Sequence, residues 1–246
     1  MRIQLLSDLH FETQADGGLS LIESLDASRC DVLVLAGDIC AGLEGLEQGL
    51  RAFCQKFTHV VYVPGNHEFW HITRSGLLEV LDRVSKAHPN FHPLNRSVVT
   101  IEGQRFVGTT LWFSDTPMAR QHARYWADFT HILDLGEWVY TINRLDRMFF
   151  ARELQPGDVA VSHHLPSFLS VAPEYAGEAS NCYFVSDIEE TILQKRPALW
   201  LHGHTHASIR ATLGSTTLLT NPFGYATLRM LNPRFDENLI IEVNSG

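Results

Sequence analysis

The sequence predicts an α/β fold that carries its chemistry at the carboxyl ends of strands. Three observations support this expectation. Strand-like and helix-like text alternate through the first third of the chain, the rhythm of a parallel sheet covered by helices. The run 31–36 (DVLVLA) is almost continuously apolar, as expected for a strand buried on both faces. Five strand-like runs end in short polar clusters: Ser7-Asp8, Gly37-Asp38, Gly65-Asn66, Ser162-His163 and Gly203-His204.

Taken in order, 2–7 reads as a short strand that delivers Asp8, and 19–25 could be helical. The run 31–36 ends at Gly37-Asp38, and 43–57 reads as a helix. The next strand, 59–63 (HVVYV), is closed by Pro64-Gly65-Asn66, and 75–87 is again helix-like. The stretch 97–110 reads as a hairpin turning at Glu102-Gly103-Gln104. From Leu111 to about Pro156 the chain is rich in aromatics and helical in parts. Strands return at 158–162 (DVAVS), before His163, and at 198–202 (ALWLH), before Gly203-His204. The runs 208–213 and 216–220 flank Gly214-Ser215, a hairpin turn, and 238–243 reads as the last strand. Ligands of open α/β sheets bind beyond the carboxyl ends of the strands. Five such ends carrying Asp, Asn and His would meet in one place if the strands are neighbours.

Bulk properties narrow the function. The length of 246 residues suits a single domain over 1–246, and 45% hydrophobic residues suffice for a sizeable core. A net charge of −9 argues against long nucleic acid as a partner, because that affinity comes from Lys and Arg on phosphates. It leaves a phosphate ester open, since bound cations would invert the local field. Cys30, Cys40, Cys54 and Cys182 form no CxxC pair and suggest no disulfide framework. The N-terminus reads as neither a secretory signal nor a membrane span, so the expectation is a cytoplasmic protein with no membrane partner.

The donor types at the strand ends point to metals. A mixed oxygen and nitrogen set suits Mn, Fe, Zn or Co, whereas a Mg or Ca site is built almost wholly from oxygen. Two ions clamp a phosphoryl group and turn a bridging water into hydroxide near neutral pH. A carboxylate is the natural bridge, having two oxygens with lone pairs to spare. Glycine beside Asp38, Asn66 and His204 lets each loop turn sharply and approach the ions.

Asp8-Leu9-His10, Gly37-Asp38, Gly65-Asn66-His67-Glu68, Ser162-His163-His164 and Gly203-His204-Thr205-His206 occur in that order, each after a strand-like run. In this arrangement the chain resembles the calcineurin-like metallophosphoesterases, whose motifs are DxH, GD, GNH followed by an acid, an isolated His, and GHxH. Any one of them alone is weak evidence: Asp8 could cap a helix, Gly65-Asn66 could be a turn, and His163 or His204 could be a core histidine. Five in order make the coincidence improbable. The resemblance implies a four-layer sandwich in which two mixed β-sheets are flanked by helices. It implies two divalent metal ions, Mn or Fe before Zn, Co or Ni. Asp8, His10 and His206 would hold one ion, Asn66, His163 and His204 the other, and Asp38 would bridge them. His67 would lie at the leaving oxygen of the substrate as a general acid.

The chain departs from the pattern in one respect. The Ser/Thr protein phosphatases carry GDxxDRG, whose second Asp orients the histidine of GNH. Here the run is Gly37-Asp38-Ile39-Cys40-Ala41-Gly42, with Ala41 in the place of that Asp and no Arg. The stretches around 109–129 and 218–225 resemble a poorly characterised bacterial branch, which often has Arg where this chain has Phe223.

Other residues carry weaker signals. Arg120 and Arg124, with Trp112, Tyr125 and Trp126, could hold an organic phosphate, or the aromatics could simply pack on the core. Asn181 and Tyr183 are alternative substrate contacts. His202 could orient a metal ligand, and Cys40 could be a thiolate ligand or a small buried filler. Residues 112–156 could form a partial lid. The expected function is hydrolysis of a small phosphodiester by a metal-bridging hydroxide. A phosphomonoesterase on the same site and a non-enzymatic scaffold, as in the family's retromer subunit, are the alternatives.

Overall fold

The computed structural model describes residues 1–227 and 230–243. The strands of its first half are β1 (Arg2–Leu6), β2 (Val32–Ala36), β3 (Val60–Val63), β4 (Phe91–Pro93), β5 (Ser97–Ile101) and β6 (Gln104–Gly108). Those of its second half are β7 (Val159–Val161), β8 (Leu199–His202), β9 (Arg210–Leu213), β10 (Thr216–Thr220), β11 (Gly224–Tyr225), β12 (Met230–Leu231) and β13 (Ile240–Glu242). Between them lie α1 (Leu19–Ser24), α2 (Leu43–Lys56), α3 (Arg74–Ala87), α4 (Pro117–His122), α5 (Asp128–His131), α6 (Leu135–Glu153) and α7 (Glu189–Lys195).

The strands form two large sheets and one small hairpin. The first sheet has the order β13-β1-β2-β3-β4, with β1 to β4 parallel and β13 antiparallel at its edge. The second has the order β5-β6-β7-β8-β10-β9, parallel in its centre with an antiparallel hairpin at each edge. Period-two alternation explains why β2 is apolar throughout. Val32 and Val34 face the second sheet, where they meet Val159, Val161 and Leu201. Leu33 and Leu35 face outward to Leu50 and Phe53 of α2 and Val80 and Val84 of α3. On the far side of the second sheet, Trp200 and Leu218 pack on Phe149 and Phe150 of α6 and Ile192 of α7. The layers are therefore helix, sheet, sheet, helix, the sandwich that the resemblance implies.

Local chemistry accounts for the elements. In α2 the buried residues Leu46, Gly49, Leu50, Phe53 and Cys54 recur at helical spacing. In α3 the Thr73 hydroxyl accepts from the Gly76 N–H as an N-cap, ahead of the stripe Leu77, Val80, Leu81 and Val84. The β5–β6 turn has Glu102 at φ 47° and Gly103 at φ 85°, the two left-handed residues a tight hairpin favours. No described helix is long and apolar enough to cross a membrane.

The five motif-bearing strands are not neighbours in one sheet. β1, β2 and β3 belong to the first, and β7 and β8 to the second. The two sheets stack so that both sets of carboxyl ends open on one rim. The aromatic middle of the chain also divides. Helix α6 packs on the second sheet as part of the outer layer, and it is the stretch before it that stands over the rim.

Candidate metal centre

Backbone conformation sets the loops of the rim. Asp8, His10, Asp38, His204 and His206 all have left-handed backbones, with φ between 45° and 69°. Non-glycine residues enter that region at a cost, and such strain gathers at functional sites. The loops are stitched together: Asp8 N–H donates to the Gly37 carbonyl and His10 N–H to that of Asp38, at 2.9 and 3.1 Å. Fully buried Glu68 accepts backbone N–H groups from Asp38, Ile39 and Gly65 at 3.0, 2.6 and 2.5 Å. It thereby clamps the loop after β2 to the loop after β3. Its desolvation raises its pKa to about 7, against the backbone donors that favour the charged form. The Asp8 carboxylate accepts the His204 N–H at 2.9 Å, across 196 residues of chain.

The side chains of these loops converge. Asp8, His10, Asp38 and His206 form one group whose potential donor atoms lie within 4.8 Å of one another, and Asp38, His163 and His204 form a second, with Asp38 in both. His10 Nε2 faces His206 Nε2 at 3.1 Å. His163 Nε2 faces Asn66 Oδ1 at 3.0 Å, His204 Nδ1 at 3.2 Å and Asp38 Oδ2 at 3.4 Å. The hydrogen-bond network fixes which nitrogen of each ring carries the proton. His163 Nδ1 faces the Ala36 carbonyl at 2.9 Å, His10 Nδ1 faces Glu12 Oε1 at 3.1 Å, and His204 Nε2 faces the Tyr183 carbonyl at 3.3 Å. With a cation bound, each outer nitrogen would donate to its acceptor and each inner nitrogen would turn a lone pair towards the centre. Asn66 is oriented in the same way: its Nδ2 donates to Asp128 Oδ1 at 3.0 Å, leaving Oδ1 facing inward.

The electrostatics of the cluster demand positive charge. Burial disfavours the charged form of His163, yet Asp38 beside it drives its pKa up to about 10. Burial opposes charge on Asp8 as well, but contact with His206 lowers it to about 2. Burial holds His204 down at about 3, neutral and able to donate its lone pair. Two anionic carboxylates, an amide oxygen and imidazoles that can give up a proton to a bound cation make a donor set that fits divalent cations with a preference for nitrogen.

His67 stands at the edge of this cluster. Its Nε2 is 3.1 Å from the Tyr225 hydroxyl, and its ring stacks on Trp70 with centroids 3.9 Å apart. Its Nδ1 lies 3.4 Å from Glu12 Oε1. Burial disfavours its charged form, but Asp38 and Glu12 outweigh that and raise its pKa. Asp128, besides holding Asn66, accepts the indole N–H of Trp70 at 2.8 Å and that of Trp126 at 3.1 Å. Glu12, Asp128 and Tyr225 were not singled out from the sequence. They match no ligand motif, and the partners that bring them to the site, His67 for Glu12 and Tyr225, and Asn66 for Asp128, lie far along the chain.

A cavity of about 450 Å³ opens from Asp38, Asn66, His67, His204 and His206. Trp70, Trp126, Leu165, Val171, Tyr175 and Phe184 form its apolar wall, and no Lys or Arg lines it among the described residues. Asn181, one of the anticipated contacts, does line it. Arg120 and Arg124 do not. Arg120 pairs with Asp115 at 2.6 Å over the Tyr140 ring, and Arg124 lies against its neighbour Tyr125. Trp112 is core. The Tyr183 hydroxyl is buried on the Ala119 carbonyl, so its part is structural. His202 Nδ1 bonds locally to the Gly203 carbonyl, and its Nε2 has no hydrogen-bond partner among the described residues. The Cys40 thiol, pushed up to about 12 by burial, is a filler rather than a thiolate. His164 is buried against Trp112, Phe113 and His204. Of residues 112–156, Trp126, Ala127 and Asp128 line the cavity.

Comparison with known proteins places this geometry. The chain is 25% identical over 268 residues to an uncharacterised protein, L509, of Acanthamoeba polyphaga mimivirus, covering 92% of each. A stretch of 70 residues is 37% identical to the [acyl-carrier-protein] phosphodiesterase PptH of Mycobacterium tuberculosis, spanning 28% of this chain and 21% of that protein. The crystal structure of that phosphopantetheinyl hydrolase superposes with a TM-score of 0.69 at 17% identity, over 91% of this chain and 89% of the other. At that identity the likeness is one of fold. The profile of the calcineurin-like phosphoesterases matches residues 1–208, a span that opens before Asp8 and closes just past His206. It takes in all five motif loops, and on this ground the chain belongs to the calcineurin-like phosphoesterase family.

Proposed function

We propose that the protein hydrolyses a small phosphodiester at a dinuclear metal centre. In this reading Asp8, His10 and His206 hold one ion, Asn66, His163 and His204 the other, and Asp38 is shared. Mn or Fe suits the nitrogen-rich set best, with Zn, Co or Ni as alternatives. The ions, when bound, supply Lewis acidity to the phosphoryl oxygens and an activated water at neutral pH. The chain's own residues do the rest. His67 Nε2, on the cavity side of the ring, stabilises or protonates the leaving oxygen. The apolar wall excludes water from the reacting group and holds the organic arm, with Asn181 as a polar contact.

The observation that carries the diester reading is the cavity lining. It includes Asp38, Asp128 and Glu178, with no Lys or Arg among the described residues. A diester brings one negative charge and a monoester up to two, so the diester needs less cationic help beyond the ions. The relative described as a phosphodiesterase supports the same reading. The test compares bis-p-nitrophenyl phosphate with p-nitrophenyl phosphate under Mn²⁺. We expect the higher kcat/KM for the diester, and Mn²⁺ to restore chelated enzyme better than Mg²⁺. A clearly higher value for the monoester would make this a phosphomonoesterase on the same site. No turnover of either by metal-loaded protein would favour a scaffold.

A further inference from the structure

We propose that Glu12 is the positioning carboxylate of His67, taking over from the loop after β1 the task that the second acid of a GDxxDRG run performs from position 41. The proposal rests on the reading of His67 as the residue at the leaving oxygen. Position 41 is Ala, with no side chain that could reach the ring. Its backbone N–H instead donates to Glu12 Oε2 at 2.9 Å, anchoring a carboxylate that arrives from elsewhere. The other oxygen of Glu12 lies 3.1 Å from His10 Nδ1 and 3.4 Å from His67 Nδ1. The rings of His10 and His67 meet edge to face, 4.5 Å apart, so one oxygen serves both.

A carboxylate has about four acceptor sites and can take three N–H groups. A carboxamide offers one oxygen and turns its own N–H₂ towards the remaining donors. His67 Nδ1 is buried and has no hydrogen-bond partner among the described residues; Glu12 Oε1, at 3.4 Å, is the carboxylate placed to become one. Histidines that act in catalysis often have long hydrogen bonds before substrate arrives. The ring is therefore held on one face by Trp70 and at Nδ1 by Glu12, which directs Nε2 to the cavity beside Tyr225. In the reaction the oxygen of a water molecule would bond to phosphorus while the leaving oxygen takes the electron pair of the breaking P–O bond and the proton of His67 Nε2. Glu12 keeps its charge and its hydrogen bond to Nδ1–H.

Two measurements test this on the 246-residue chain. The first is independent of activity: ¹⁵N-histidine NMR of zinc-loaded protein. We expect His67 Nδ1 to carry its proton in the wild type, and that preference to be lost in Glu12→Gln. An unchanged His67 tautomer in the variant would overturn the proposal. The second is a double-mutant cycle in kcat. Glu12→Gln is expected to lower kcat about 10–100-fold, with KM within twofold, at metal concentrations that saturate both variant and wild type because Glu12 also faces His10 Nδ1. In a His67→Ala background the same change is expected to cost less than twofold, because its target is gone. A full loss repeated in that background would assign the effect to His10 and the metals, and would overturn the proposal. Should Glu12→Gln fail to fold, Glu12→Asp, one methylene short, serves in both experiments. If the wild type fails to cleave diesters, the diesterase reading falls, while the NMR result still decides the role of Glu12.

Discussion

Asp128 shows how far a single residue without a motif can reach. One of its oxygens receives the Asn66 amide and the Trp70 indole, and the other receives the Trp126 indole. In Asp128→Asn a second amide would face these donors, and Asn66 would be free to turn its oxygen away. The expected result is a metal affinity about 10–100-fold weaker at the Asn66 side, the usual effect of losing an outer support of a ligand. A metal-competition titration would read it, and an unchanged affinity would show that Asn66 needs no such support. The sequence reading found the residues that the structure brings together as donors, because Asp8 and His10, or His204 and His206, sit within one short loop. It missed Glu12 and Asp128 because the contacts that define them span 29 residues to Ala41 and 62 to Asn66. No local pattern records such a pairing. Arg120 and Arg124 stand in a basic and aromatic stretch, yet Asp115 and Tyr125 lie beside them and engage them locally.

At the scale of elements, the loops after β1, β2, β3, β7 and β8 owe their shape to close approach. A Cβ at Gly65 would run into Asp38 Oδ1, and one at Gly203 would lie 2.7 Å from Asp8 Oδ2. Gly65→Ala is therefore expected to push Asp38 out of the cluster. The cost should be about 1–3 kcal/mol of stability, as for overpacking in a core, and most of the bound metal. Thermal melts and elemental analysis check both, and full metal content in the variant would refute the expectation. The parallel strands were legible as apolar runs because each is buried on both faces, as β2 is between Val161 and Phe53. Helix α6 was read only in parts. Its buried stripe is interrupted by Asn143 and Asp146, which face inward to hold other segments. Asn143 Nδ2 donates to the Trp112 carbonyl and to Ser186, and Asp146 accepts from Arg96 and Thr109. Buried polar residues break the very periodicity that marks a helix. Strand β4 is three residues long and ends in proline, too short for any alternation to show.

At the scale of the molecule, the proposed ligands come from both sheets. Asp8, His10, Asp38 and Asn66 follow strands of the first, and His163, His204 and His206 follow strands of the second. Each proposed ion would take donors from both. A ligand that binds only the folded state stabilises it by about 2.7 kcal/mol at a hundred times its Kd. In a domain of this size that corresponds to roughly 5–10 °C in Tm per site. Chelation should therefore lower Tm by at least that much, and calorimetry with and without EDTA measures it. An unchanged Tm, with metal removal confirmed, would mean that the ions do not bridge the layers. Between the sheets lies an apolar layer of Ile3, Leu5, Val34, Val161 and Leu201, and hydrogen bonds tie its margin, from Asn221 Nδ2 to the Leu5 carbonyl and from Thr110 Oγ1 to the Pro64 carbonyl. Ions at its rim would be reversible cross-links between two slabs. Loss of metal would then loosen the contact between the slabs, and the lifetime of the folded chain against proteases would follow the local supply of metal.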